Sequence, residues 1–317
     1  VNDMAPIVRA SWLRGVSALP NSFAHESYID ELATAAGVDP VEYRLRHLPD
    51  PRAAELVRAT ADRAGWIKHT APRPPSCDEC GDEWVSGQGF AYARYIHSKW
   101  PGFGAAWAAW VADVDVNRQT GEVHVKRVVV GHDAGLMVNP AGVTQQVHGN
   151  VLQTTSRALK EQVQIEPAQN TVVSQEWGSY PILNFREVPV IEVMHMPRPG
   201  EPALGAGESS SVPGTAAIAN AIFDATGVRF RAPPFTPEVV RAGLNAEQKL
   251  PLPLSEYESI AIQKIANQTI QPARIPLFAS AKPLWAALGG AALGVLGMAA
   301  SYLGWSSALQ PVTPGST

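Results

Sequence analysis

Cysteine is nearly absent. Cys77 and Cys80, in PSCDECGDE, are the two that the chain contains. A structural zinc or an iron–sulfur cluster usually takes four protein ligands, and a lone C-x-x-C supplies two. No histidine follows the pair, so the haem-attachment pattern C-x-x-C-H is missing as well. By itself the chain carries no iron–sulfur or c-type haem motif. A reduced pair in an acidic loop, a local disulfide and a metal shared with another chain are the readings left open for the two thiols. Charge is scarce too: 17% of residues are charged and the formal net charge is −4, with a pI near 6.1. Without a basic excess, nothing points to a nucleic-acid partner. The N-terminal VNDMAPIVRA has no initiator methionine and no signal-peptide pattern. The expectation is a chain that starts inside a longer polypeptide.

What is there suffices for one large core or two smaller ones: 317 residues, 45% of them hydrophobic. Proline (27) and glycine (26) are plentiful, which suits many strands and turns. Residues 21–66 read as three helices in series. Asn21 or Ser22 caps the first, with Ile29, Leu32, Ala33 and Ala36 as its apolar face and Gly37 as its end. Asp39-Pro40 and Asp50-Pro51 each give an N-cap followed by proline at the first helical position, and Gly65 is the last stop. Over residues 87–131 the period changes. Alternation in VADVDV and VHVKRV, on either side of NRQTGE, predicts an antiparallel hairpin. Asn139-Pro140 opens a helix to about Glu161, with Val143, Val147 and Val151 one turn apart. TVVSQEW and VPVIEVMHM, within 171–199, read as strands with proline breaks. GTAAIANAIFDATG is a helix ended by Gly227, and RAPPFTPEVVRAGL adds a short final one. The expected fold class is α+β, with helices packed on mixed sheets, over residues 1–245.

Beyond that domain the character shifts. Residues 246–282 are a proline-punctuated linker, and 283–305, PLWAALGGAALGVLGMAASYLGW, hold no charge. That length spans a hydrocarbon core. Trp285 near one end, with Tyr302 and Trp305 near the other, match interfacial anchors. A C-terminal transmembrane helix is expected, followed by a tail at 306–317. Arg274 and Lys282 precede it and no positive charge follows. The positive-inside rule then places the globular part in the cytoplasm.

Two features carry chemistry. Gln146, Gly149, Asn150 and Gln153 recur at helical spacing on the face away from the valines. Such a stripe is either solvated or turned to a polar ligand. Amides rather than charges, and a glycine where a ligand could press close, favour the second. In GAGESSSVPG a single carboxylate, Glu208, sits among small residues just before a packed helix. A solvated surface glutamate is one reading. A base held beside a close-fitting ligand is the other.

Three stretches together resemble one family. RGVSALPNSFAHESYIDELA at 14–33, GHDAGLMVNPAGVTQQVHGNVLQ at 131–153 and GAGES at 205–209 are similar, in family order, to segments of the molybdenum hydroxylases (the xanthine oxidase family). The isoquinoline oxidoreductase-like branch is nearest, and the similarity covers roughly residues 7–245. The resemblance implies the C-terminal half of a molybdopterin-binding catalytic subunit. Its cofactor would be molybdenum-molybdopterin, or the cytosine dinucleotide form. Glu208 would be the catalytic base beside the molybdenum atom, which the pterin, not the protein, ligates. Arg14 and Gly15 would lie beside that centre, with Val16 at the substrate pocket. Gln146 would hydrogen-bond the pterin, Gly149 would permit its approach, and Gly205, Gly207 and Ser209 would form the loop against it. The implied reaction is hydroxylation of an N-heteroaromatic ring with oxygen from water, nicotinate first among substrates. The alternatives are a membrane-bound aldehyde dehydrogenase of the same family and a non-catalytic membrane anchor. Implied partners are the upstream half of the subunit, a small [2Fe–2S] subunit and a cytochrome c module carrying c-type haems. The implied location is a bacterial inner membrane. Two departures stand out: His148 where relatives often have glutamate, and Ser210 and Ser211 in place of a more apolar run. Since the upstream half supplies another part of the cradle, this chain is not expected to bind molybdopterin alone.

Overall fold

A computed structural model describes residues 12–73, 83–97, 104–166, 168, 171–196 and 198–247. Its chain divides into two units, Val1–Pro251 and Leu252–Thr317. The second unit lies outside the described residues, as do Cys77 and Cys80 and the expected membrane helix. Among the described residues no helix is long and apolar enough to cross a membrane.

The first unit is built on a mixed sheet of four strands: β1 (Trp84–His97), β2 (Gly104–Asn117), β3 (Val123–Asp133) and β6 (Val190–His195), in the order β1-β2-β3-β6. A two-residue pair, β4 (Ile165–Glu166) and β5 (Thr171–Val172), stands apart. β1, β2 and β3 run antiparallel, and β6 joins β3 in parallel. The hairpin expected around NRQTGE joins β2 to β3. Its turn is set by Asn117, whose side chain accepts from the amides of Gln119 and Thr120 at 2.9 and 2.8 Å, and by Gly121 at φ 80°. A parallel neighbour needs a long crossover, and helix α4 (Pro140–Leu159) lies within it.

Helices cover both faces of the sheet. α1 (Ala18–Ala35), α4, α5 (Gly214–Thr226) and α6 (Pro237–Glu247) form one layer, and α2 (Pro40–His47) and α3 (Pro51–Ala64) the other. The strand period of two divides β2 between two cores. Trp110, Ala112, Val114 and Val116 enter the first, and Trp107, Ala109 and Val111 the second. This explains why GAAWAAWVA reads as a continuous apolar run rather than an alternating one. α5 lies directly on β1. A Cβ at Gly87 or Gly89 would overlap α5 backbone atoms of Ala221 and Ala225, or of Ala217 and Ala221.

The aspartate-proline helices form as expected. Asp39 accepts from the amides of Val41 and Glu42, each at 3.0 Å, Asp50 accepts from that of Arg52 at 3.0 Å, and Gly65 at φ 68° ends α3. Three expectations are corrected. α1 starts at Ala18 rather than after Asn21 or Ser22, and Ser17 makes no side-chain cap bond. Its buried residues are Glu26, Ser27, Asp30 and Ala33, not an apolar face. Polar partners make this tolerable. Glu26 accepts from Arg44 Nε and the Tyr92 amide, both at 2.8 Å, and Asp30 accepts from Arg229 Nη2 at 2.9 Å. Burial works to raise the Glu26 carboxyl, yet the Arg44 charge and the bonds from His25, Arg44 and Tyr92 hold it below the usual range. Finally, most of 171–189 is not strand. Gly178, Pro181 and Pro189 interrupt pairing, and Asn184 caps a short turn, Phe185–Glu187.

Asp133, near the start of the motif stretch at 131–153, is fully buried. It accepts from Arg52 at 2.8 and 2.6 Å, from Arg198 Nε at 3.0 Å and from the Gly135 amide at 3.2 Å. It thus ties α3 and the strand-β6 exit to the turn that starts the crossover. Burial pushes its carboxyl up, but those donors outweigh burial and hold it below the ordinary carboxylate range.

Two stability measurements follow from these contacts. Gly89→Ala must push α5 off the sheet and is expected to cost about 3 kcal/mol in denaturant unfolding. Asp133→Asn strands two arginines and is expected to cost about 3–5 kcal/mol at neutral pH. A carboxyl lowered by folding stabilises above its unfolded pKa, about 4, and loses that contribution as pH falls through its native value. Between pH 7 and pH 3, Asp133→Asn should therefore lose less stability than the parent.

Candidate active site

The loop before α5 is fixed from below. Ser209, Ser210 and Ser211 make one tight turn and are buried. The amide and hydroxyl of Ser211 both donate to the Glu208 carbonyl, at 2.9 and 2.6 Å. Trp110 Nε1 donates to the Ser210 carbonyl at 2.7 Å, and Thr154 Oγ1 donates to that of Ser211 at 3.3 Å. Ser209 Oγ lies 2.8 Å from His132 Nε2. The sheet, through Trp110 and His132, and α4, through Thr154, therefore set the backbone that carries Glu208. Ser210 and Ser211, the departure from an apolar run, are buried where that run would be. The Ser209 side chain turns inward to His132 and is buried.

The Glu208 carboxylate, partly exposed, is gripped at both oxygens. Oε1 accepts from the Gly15 amide at 3.1 Å, and Oε2 accepts from the Tyr95 hydroxyl at 2.7 Å. Gly15 adopts φ 90°, and a Cβ there would come within 3.0 Å of Leu19 Cβ and 3.1 Å of Ser211 Oγ. Only glycine meets both demands. Val16 follows at φ 39°, a conformation that costs a β-branched residue roughly 1–2 kcal/mol. Burial, then the bond and charge of Glu208, push the Tyr95 phenol up to about 12. Tyr95 is therefore a protonated donor at any working pH.

A polar patch adjoins this grip. Arg14 Nη2 donates to Gln146 Oε1 at 3.4 Å, and the Arg14 carbonyl accepts from Arg157 Nη1 of α4 at 2.6 Å. A Cβ at Gly149 would lie 3.2 Å from Arg14 Nη1, and one at Gly207 would lie 3.9 Å from Gln146 Oε1. Arg14, Gln146, Gly149 and Gly207 thus edge one surface beside Glu208. Gly205 is exposed farther along the loop, and Val16 is 44% exposed next to Gly15. A cavity of about 600 Å³ lies elsewhere, between β3, α4 and α6, and includes none of these residues.

This donor set suits a flat, polar, anionic ligand. A guanidinium and an amide offer hydrogen bonds in both senses, and glycines at two edges let the ligand approach the backbone. Among the described residues no three His, Cys, Asp or Glu side chains converge as metal ligands. Sequence reasoning missed Tyr95, Arg157, Trp110 and His132. Strand register alone aims Tyr95 at the loop, and no local motif signals that.

Residues 43–189 match the family described as molybdopterin cofactor-binding domain. The chain is 60% identical over 314 residues to one subunit of the nicotinate dehydrogenase of Pseudomonas putida, covering 99% of this chain and 25% of that protein. It is 30% identical over 235 residues to the beta subunit of isoquinoline 1-oxidoreductase from Brevundimonas diminuta, covering 74% of this chain and 28% of that one. The chain thus spans about a quarter of the length of these curated relatives. Its fold is that of quinoline 2-oxidoreductase from Pseudomonas putida 86, with a TM-score of 0.63 at 14% identity over 75% of this chain and 53% of that one. Fold, motif order and a relative similar along nearly the whole length agree: the chain belongs to the molybdenum hydroxylase, or xanthine oxidase, family, as part of its molybdopterin-binding domain.

Proposed function

We propose that this chain forms the catalytic-base half of a molybdenum hydroxylase that hydroxylates an N-heteroaromatic ring, nicotinate before others, with oxygen from water. The observation that carries it is the Glu208 carboxylate held between the Gly15 amide and the Tyr95 hydroxyl, beside the Arg14–Gln146 patch. The 60% identity to a protein named for nicotinate dehydrogenation supports the substrate.

When bound, the molybdenum–pterin group supplies the two-electron redox chemistry. This chain's residues do the rest. Arg14 and Gln146 hydrogen-bond the pterin, and Gly149 and Gly207 leave it room. Glu208 accepts one proton at a fixed point, since both oxygens are anchored and its backbone is locked by Ser211. Val16 offers an apolar contact for an aromatic ring. In the same reading, electrons leave through a [2Fe–2S] subunit and then cytochrome c haems. Residues 283–305 anchor the protein in a bacterial inner membrane, with the globular part toward the cytoplasm.

In the assembled enzyme, Glu208→Gln is expected to lower turnover at least 10³-fold while molybdenum content by elemental analysis stays unchanged. Undiminished turnover would favour a non-catalytic anchor. Steady-state rates with nicotinate and acetaldehyde, read with an artificial electron acceptor, test the substrate. A preference for acetaldehyde would leave the base in place and replace the ring.

A further inference from the structure

We infer that Tyr95 is a positioning residue for the base: its hydroxyl fixes the rotation of the Glu208 carboxylate. The inference rests on the reading of Glu208 as the base.

The geometry separates two duties. The Gly15 amide, at 3.1 Å, belongs to a loop, whereas Tyr95 belongs to β1, whose neighbours Arg94, Tyr95 and Ile96 pair with Trp107, Ala106 and Ala105 of β2. A residue paired in a ladder has a stiffer mount than one on a loop. The Tyr95 bond is also the shorter of the two, at 2.7 Å. One contact leaves a carboxylate free to turn about its terminal torsion, which is broad and two-fold. Contacts at both oxygens define its plane. The surrounding charged groups are Arg14 in the loop, Arg157 on α4, and His132 beneath Ser209. His132 is separated from the carboxylate by the serine turn.

The test uses the complete, assembled enzyme, with rates expressed per bound molybdenum. Tyr95→Phe keeps the ring and removes the hydroxyl. It is expected to lower kcat about 10- to 100-fold with KM within about two-fold. A crystal structure of the variant should show the carboxylate turned from its parent orientation. Installing 3-fluorotyrosine at position 95, a donor of nearly the same shape, should keep kcat within about three-fold of the parent and leave the carboxylate in its parent orientation. This arm stays informative if the phenylalanine variant fails to fold. A parent-like kcat or an unmoved carboxylate in Tyr95→Phe, or a kcat lost in the 3-fluorotyrosine enzyme, overturns the role of Tyr95. Retained turnover in Glu208→Gln would instead overturn the base itself, so the two failures are distinguishable.

Discussion

Helix α5 rests on the backbone of β1 because Gly87 and Gly89 present no side chain to hold it off. Gly214, at the start of the helix, is seated on the Trp110 ring and Thr154, where a Cβ would not fit. This close approach fixes the height of the helix start above the sheet. The residues just before it, Glu208 to Pro213, inherit that height. Trp110 and His132 then reach the serine turn directly from the strands. A longer stand-off between helix and sheet would break both contacts and free the loop. The position of the base is thus set by packing that involves no catalytic group.

Small-residue packing is smooth and does not by itself choose a register. Buried polar contacts supply the missing choice. Asn220 of α5 donates to the Phe90 carbonyl at 3.0 Å and accepts from Arg229 at 2.8 Å. Arg229 in turn pairs with Asp30 of α1, and Glu26, one turn earlier, pairs with Arg44 of α2. Asp224 accepts from the Gln88 amide at 2.8 Å and pairs with Arg73. Such pairs add little net stability, since burial of the ions offsets their attraction. Any slip, however, would leave a buried charge unpaired. α1 is held to α5 in one alignment, and the Arg14–Ser17 loop that precedes α1 therefore meets the Glu208 loop at a fixed place.

The legible parts of the sequence were those where a local rule decides. Aspartate-proline pairs started helices, Asn117 and Gly121 closed a hairpin, and Gly227 ended a helix. The loop carboxylate and the amide stripe were legible as chemistry, because small residues around Glu208 and a glycine among the amides are hard to explain by packing alone. Other features depend on what lies across from them. β1 was obscured by Gly87, Gln88 and Gly89, which suit a strand only when a helix backbone presses on it. The inward face of α1 read as apolar from Ile29 and Leu32, whereas Glu26 and Asp30 are satisfied by arginines far along the chain. Tyr95 has no local signature in YARYIH, and only the pairing of β1 with β2 brings it to Glu208.

The same geometry says what the base needs from its surroundings. Glu208 is partly exposed and the adjoining face is open, with Trp12 and Leu13 exposed at 90% and 50% and Val16 beside them. In water, two hydrogen bonds to a carboxylate compete with solvent and contribute little. Behind a cover that excludes water, the same donors act in a lower dielectric and constrain the anion more strongly. The exposed apolar side chains lie next to the loop that supplies the Gly15 amide, so a partner surface seated on them would dry the grip at its loop end. Tyr95 already holds the strand end from a partly buried position. A carboxylate anchored by one stiff donor within the fold, and by a second whose strength depends on enclosure, is held in one plane more firmly where water is excluded.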